Sequence, residues 1–250
     1  MPAPRPDLPA VITACLFDMD GVLTRTATVH AKAWAEAFDG LLRRRAEQGG
    51  PAFVAFDPLT DYTRHVDGKP RESGVRDFLA SRDVELPEGD REDPPTAETV
   101  WGVGNAKNVK LLEVLERDGV EVFDGSVTFL RAARDAGLRT AVVSSSANTA
   151  AMLTSAGLLE LMEERVDGKT LAAMPELHGK PAPDTFLLAA ERLGLEPSAC
   201  VVFEDALAGV EAGRAGNFGW VVGVDRAGQR EALLEHGADI VVDDLAELLS

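Results

Sequence analysis

Short apolar runs punctuate the chain at "AVITACLF" (10–17), "LRTAVV" (138–143), "ACVVF" (199–203), "FGWVVGV" (218–224) and "ADIVV" (238–242). Their length and β-branched content predict strands. Helical patterns separate the later runs from one another. Buried strands alternating with helices predict an α/β fold with a parallel sheet covered on both faces. Ligands in such sheets sit at the carboxyl ends of the strands. The polar residues that close the runs are therefore the ones to watch: Asp18 and Asp20, Ser144 to Ser146, and Glu204 with Asp205.

A long, mostly helical stretch separates the first run from the others. The spacing predicts a helix over 29–45, with Trp34, Ala37, Phe38, Leu41 and Leu42 as its apolar stripe. A short helix over 75–81 and a long one over 96–117 follow, the latter interrupted at "GVGNAKN". Between them "RDVELPEGDREDPP" reads as an acidic, Pro-rich exposed loop. The simplest architecture is an α/β core with a helical insertion after its first strand. The expected division is a core of residues 1–27 and 118–250 and an inserted helical domain of 28–117.

The 250 residues carry a net charge of −17 at pH 7. That argues against nucleic acid and anionic membrane as main partners, since both need a basic surface. It leaves an anionic small molecule open, because a few local cations outweigh the global field. Cys15 and Cys200 lie within apolar runs and read as core hydrophobes. No run has the length of a membrane span. The opening "MPAPRPDLPA" reads as a loose lead-in without the apolar stretch of a signal peptide. A cytoplasmic, monomeric enzyme is expected.

Why would a buried strand end in "FDMDG"? Two like charges at a strand mouth are costly unless a cation is near. Asp18, Asp20, Glu204 and Asp205 form a hard-oxygen set suited to Mg²⁺. Ser144, Ser145, Ser146 and Asn148 form a hydroxyl-rich strand end that opens a helix, a good phosphate cradle. Lys180 in "HGKPAPD" is held by prolines and is suited to neutralising a phosphoryl oxygen. "GVGNAKN" does not qualify as a nucleotide loop, because it follows a helical pattern and lacks the lysine-serine/threonine ending.

Taken together, "FDMDGVLT", "HGKPAPDTF" and "FEDALAGVEAG" resemble the haloacid dehalogenase superfamily of phosphotransferases, and within it the β-phosphoglucomutase family. The resemblance spans nearly the whole chain after Val11. It implies a Rossmann-like core with an inserted helical cap. It implies that Asp18 attacks phosphorus and that Asp20 is the general acid/base, its carbonyl also binding Mg²⁺. Ser144, Ser145 and Lys180 would hold the transferring phosphate, and Glu204 with Asp205 would complete the metal site.

Core motifs do not separate a mutase from a phosphatase, since both form the same phospho-aspartate. The difference lies in what attacks next, a sugar hydroxyl or water. "TATVHAKAW" resembles the mutase segment, with Thr26, His30 and Trp34 at matching positions. "DGKPRESGV" resembles its cap loop, with Gly68 in the turn and Arg71 matching the arginine that grips the distal phosphate. Lys107, Ser146 and Asn148 match further substrate contacts. One position departs: Ala147 stands where the family often has a lysine. Arg165 and Lys169 are the alternative cations. The expectation is a Mg²⁺-dependent β-phosphoglucomutase acting on a sugar phosphate, with a small-sugar-phosphate phosphatase as the alternative and a non-catalytic sensor behind both.

Overall fold

The structure, a computed structural model, describes residues 5–250, the side chain of Asp118 excepted. The chain divides into two compact units, Met1–Arg25 with Val120–Ser250, and Thr26–Gly119.

In the first unit the described strands form one parallel sheet. They are β1 (Ala14–Phe17), β2 (Arg139–Val143), β3 (Glu164–Val166), β4 (Cys200–Glu204), β5 (Trp220–Val224) and β6 (Ile240–Val242), in the order β3-β2-β1-β4-β5-β6. Chain order reverses on either side of β1, which makes the β1/β4 crevice the topological switch point. Phe17 lies opposite both Val142 and Phe203, so β1, β2 and β4 end nearly level. The next residues, Asp18 and Glu204, emerge side by side at that mouth, and the Asp18 amide donates to the Phe203 carbonyl at 2.9 Å.

Alternation along the strands fills both faces. On one face Phe17 stacks on Phe203 at 4.9 Å, and Phe129 of α4 (Asp124–Asp135) meets both edge-on. On the other, Leu16, Val143 and Val202 pack with Phe186 of α7 (Asp184–Arg192) and Val210 of α8 (Leu207–Ala215). Burying each such side chain stabilises the fold by about 1.5–3 kcal/mol. Cys15 and Cys200 are fully buried, and burial pushes the Cys200 thiol up to about 11, consistent with inert core residues. Three short helices complete this unit: α5 (Thr149–Ser155), α6 (Gly168–Ala173) and α9 (Arg230–Glu235).

Two sequence expectations for this unit need correction. β3 was not anticipated, because Glu164 and Arg165 put charge on two of its three positions. It pairs on one side only, with β2, and edge strands tolerate such residues. The loose lead-in is also wrong for its described part. Arg5 exchanges backbone hydrogen bonds with Ser250, and the Asp7 amide donates to Leu248, so the C-terminal backbone pins it.

The second unit is built on α1 (Ala27–Glu47), α2 (Arg71–Ala80) and α3 (Val100–Asp118), with a π-helical turn at Tyr62–Val66. Trp34, Phe38, Leu41 and Leu42 of α1 face its core, where Trp34 stacks on Phe38 and Phe38 packs on Phe56 and Phe78. α3 runs without interruption through "GVGNAKN", contrary to the sequence reading. Its glycines serve close approach. A Cβ on Gly102 would come within 2.3 Å of the Ala97 carbonyl, and one on Gly104 within 3.1 Å of the Arg71 side chain. Thr99 caps α3 by accepting from the Gly102 amide at 3.0 Å.

The acidic loop before α3 is exposed along much of its length, yet fastened. Asn105 donates to the carbonyls of Arg91 and Asp93 at 3.0 and 2.8 Å. Glu88 pairs with Arg76 of α2, and the Val100 amide donates to Pro87. No described helix is long and apolar enough to cross a membrane.

Candidate active site

The site starts from buried carboxylates. Asp18, Glu204 and Asp205 are 6%, 0% and 5% exposed, and a ligand oxygen from each lies within 4.8 Å of the others. The Lys180 ammonium, 2% exposed, donates to Asp18 Oδ1 and Glu204 Oε1 at 2.5 Å each and to the Val143 carbonyl at 3.0 Å. Burial pushes the Asp18 carboxyl well above the usual range, Lys180 opposes the shift, and Glu204 and Asp20 add to it. Burial works against the Lys180 ammonium, but Asp18 and Glu204 outweigh it and hold the lysine above its ordinary value. The Lys180 ammonium contacts two of these three buried carboxylates, and Arg226 acts on Asp205 through its field. A small, hard divalent cation fits this all-oxygen donor set.

Glycines make room for these groups. Gly21, at φ +87°, lies where a Cβ would come within 1.7 Å of Asp205 Oδ2. A Cβ on Gly209 would sit 1.8 Å from Glu204 Oε1. Glu204 also accepts from the Ala206 amide at 2.9 Å, which fixes its second oxygen. Asp20 is half-buried in the turn closed by the Gly21 amide donating to the Thr24 carbonyl at 2.8 Å.

After β2 the backbone forms a hydroxyl-lined loop. The Ser146 amide donates to Ser144 Oγ at 3.1 Å, and the Asn148 amide to Ser146 Oγ at 3.2 Å. Ser145 and Ala147 lie between them, and the Gly168 amide closes the loop onto the Ser146 carbonyl at 3.1 Å. Because Lys180 holds the Val143 carbonyl, this loop begins beside the carboxylates. The residue between Lys180 and Ala182 is Pro181, joined by a cis peptide bond.

The other expected residues lie in the helical unit. Thr26 is buried at the N-cap of α1. Lys107 is 6% exposed, its ammonium 3.1 Å from His30 Nδ1 and 5.2 Å from the Trp34 ring centre. Donation from an ammonium to Nδ1 would place the ring proton on Nε2. The structure thus brings His30, Trp34 and Lys107 into one cluster. Gly68, at φ +69°, turns the chain just before Arg71, the first residue of α2.

Some supporting residues carried no sequence signal. Arg226 stacks on Phe123 at 3.5 Å and donates to the Gly21 carbonyl at 2.7 Å. Gln229 donates to the Asp205 carbonyl at 2.9 Å. A Cβ on Gly168 would come within 2.8 Å of the backbone of Ser145 and Ala147. Gly21 and Gly209 were findable, as parts of "FDMDGVLT" and "FEDALAGVEAG". Arg165, an alternative cation in the sequence reading, is held against Asp167 at 2.7 Å.

Comparison with known proteins shows the family. The model of the haloacid dehalogenase-like hydrolases matches residues 12–217. β-Phosphoglucomutases of Mycobacterium bovis and Mycobacterium tuberculosis are each 57% identical over 245 residues, 97% of this chain and 93% of theirs. The crystal structure of β-phosphoglucomutase from Clostridium difficile superposes with a TM-score of 0.73 at 24% identity, covering 95% of this chain and 93% of that one, and shares the fold. A buried aspartate at the switch point, bound by a lysine and flanked by two further acids, occurs here on a parallel sheet interrupted after its first strand, and the chain belongs to the haloacid dehalogenase-like hydrolase family.

Proposed function

We propose that the protein is a Mg²⁺-dependent β-phosphoglucomutase, interconverting β-D-glucose 1-phosphate and glucose 6-phosphate through a bound glucose 1,6-bisphosphate. The observation that carries the reading is the contact of Lys180 with both Asp18 and Glu204 at the sheet's switch point. The mycobacterial β-phosphoglucomutases, alike over nearly the full length of both chains, support the substrate assignment.

Phosphate monoesters need rate accelerations of up to ~10²¹. Starting from phosphorylated Asp18, Asp20 takes the proton of the C6 hydroxyl of β-glucose 1-phosphate, whose oxygen attacks phosphorus and breaks its bond to Asp18, giving glucose 1,6-bisphosphate. Asp18 then attacks the C1 phosphate of the bisphosphate in line, the bond from phosphorus to the C1 oxygen breaks, and Asp20 returns the proton to that oxygen, giving glucose 6-phosphate and phosphorylated Asp18. Lys180 and the Ser144 loop hold the phosphoryl oxygens. Held by Asp18, Glu204 and Asp205, Mg²⁺ would offset the repulsion between nucleophile and phosphate. His30, Trp34 and Lys107, gathered in one buried cluster, are the candidate sugar contacts of the helical unit.

Paired initial rates test the reading. β-Glucose 1-phosphate is offered with Mg²⁺ and trace glucose 1,6-bisphosphate, while glucose 6-phosphate and free phosphate are measured together. Fast glucose 6-phosphate with little free phosphate, lost in Asp18→Asn, is the expected result. Phosphate release without isomerisation would replace the mutase by a phosphatase.

A further inference from the structure

The loop after β5 reaches back to the mouth of the sheet. Arg226 leaves this loop, and its Nε donates to the Gly21 carbonyl at 2.7 Å while Nη1 donates to the Asp243 carbonyl at 2.6 Å. The guanidinium carbon lies 3.5 Å from the centre of the Phe123 ring. Nη2 is buried and makes no hydrogen bond among the described residues, unlike a solvated surface arginine. The loop itself is fastened. The Asp225 amide donates to the Val242 carbonyl at 2.8 Å, and the Asp225 carboxylate accepts from the Gln229 amide at 2.9 Å. With Gln229 on the Asp205 carbonyl, one loop holds backbone on both sides of the β1/β4 crevice, Gly21 after β1 and Asp205 after β4.

What Arg226 holds is the turn that carries Asp20. The Gly21 amide donates to Thr24, and the Leu23 and Thr24 amides both donate to the Met19 carbonyl at 2.9 Å. The Phe123 amide donates to the Leu23 carbonyl at 3.0 Å. Contacts therefore close a circuit from Gly21 to Arg226, to Phe123, to Leu23 and back along the turn. Gly21 is the link in most need of it. At φ +87° it has a freedom that other residues lack, and Asp205 packs where its Cβ would stand. The bond from Arg226 fixes the peptide that follows this glycine. A lysine has no planar fork and could not bond both carbonyls while stacking on the ring.

We propose that Arg226 is a positioning residue for Asp20: by fixing the Gly21 peptide it sets the aim of the neighbouring Asp20 carboxyl. The proposal rests on the reading of Asp20 as the proton carrier. Arg226 acts here by geometry, since its fork engages carbonyls and not Asp20 itself.

The test uses the full chain in Mg²⁺ buffer. Arg226→Lys keeps the charge and loses the fork, whereas Phe123→Leu keeps the fork and loses the stacked ring. Hydrogen exchange of single amides is followed by NMR. In Arg226→Lys the Gly21, Leu23 and Thr24 amides are expected to exchange at least about tenfold faster, while those of Val202 in β4 and Val222 in β5 keep parental rates. On β-glucose 1-phosphate, kcat should fall on the order of 10- to 100-fold and KM should stay within about threefold. Phe123→Leu should move both readouts the same way by less, and it carries the test if Arg226→Lys does not fold. If the parent does not isomerise the sugar phosphate but the turn amides still loosen selectively, the mutase reading falls and the hold on the Asp20 turn stands. Turn and strand amides loosening equally would make Arg226 a general stability contact. That result, turn amides at parental rates, or full kcat in Arg226→Lys would overturn the positioning role.

Discussion

The Glu204 carboxylate occupies the space that a side chain at position 209 would fill, with Oε1 1.8 Å from where a Cβ would stand. Two residues in different elements thus share one volume. Gly209→Ala has no backbone penalty from φ, so its effect reports on that volume alone. It is expected to raise the Mg²⁺ concentration needed for half-maximal activity on the order of 10- to 100-fold. Activity against Mg²⁺ concentration checks this, and an unchanged Mg²⁺ dependence would show that Glu204 moves aside freely.

Lys180 is the counter-charge for Asp18 and Glu204. Lys180→Met should reduce kcat on the order of 10²- to 10³-fold. In the presence of a chelator it should also cost about 3–5 kcal/mol of stability, because two buried carboxylates lose their partner. Mg²⁺ should recover part of that loss. Urea unfolding with and without Mg²⁺ measures it, and equal losses in both conditions would contradict a shared electrostatic site.

Gly168 lets β3 approach the hydroxyl loop, where a Cβ would strike the Ser145 carbonyl and the Ala147 amide. Gly168→Ala is expected to raise KM for the sugar phosphate about tenfold through a displaced phosphate cradle, a strain of ~1–3 kcal/mol. Mg²⁺ activation should stay near the parent value. A change confined to Mg²⁺ affinity would assign the loop a different task.

Lys107 tests whether the cluster with His30 and Trp34 is structural. Lys107→Met removes a buried charge while keeping volume and apolar contact, so stability should stay within about 1 kcal/mol of the parent. Turnover should fall at least about tenfold if the ammonium serves the substrate. Full activity at parental stability would leave the cluster as packing only.

Chelation should abolish activity reversibly, with Mg²⁺ restoring it. Mg²⁺ at 100 times its Kd should also stabilise the fold by about 2.7 kcal/mol, if it binds only the native state. A melting temperature insensitive to Mg²⁺ would mean that Asp18, Glu204 and Asp205 balance their charge by protonation instead.

Much of the core was legible because its strands are continuous apolar runs that end in polar residues. The placement of Asp18 and Glu204 at the sheet mouth follows directly from that rule. β3 was not legible, since two of its three residues are charged and its existence depends on pairing with β2. The glycines of α3 read as a break because propensity is local, whereas their reason is tertiary: Ala97 and Arg71 lie against them. Arg226 and Gln229 were invisible for the same cause, as each acts by reaching a carbonyl far away in sequence.

The first unit also holds both ends of the insertion together. The Arg25 amide donates to the Glu121 carbonyl, the Phe123 amide to Leu23, and Thr24 bridges Val122 in antiparallel fashion. Seen from the sheet, Thr26–Gly119 is the tip of a hairpin that has grown into a folded body. The entropy of closing such a tip rises only with the logarithm of its length. Lengthening or rewriting the insertion therefore costs the sheet little, as long as the paired stem is kept. The sequence between Thr26 and Gly119 is free to drift while Asp18, five residues upstream of Leu23, keeps its place.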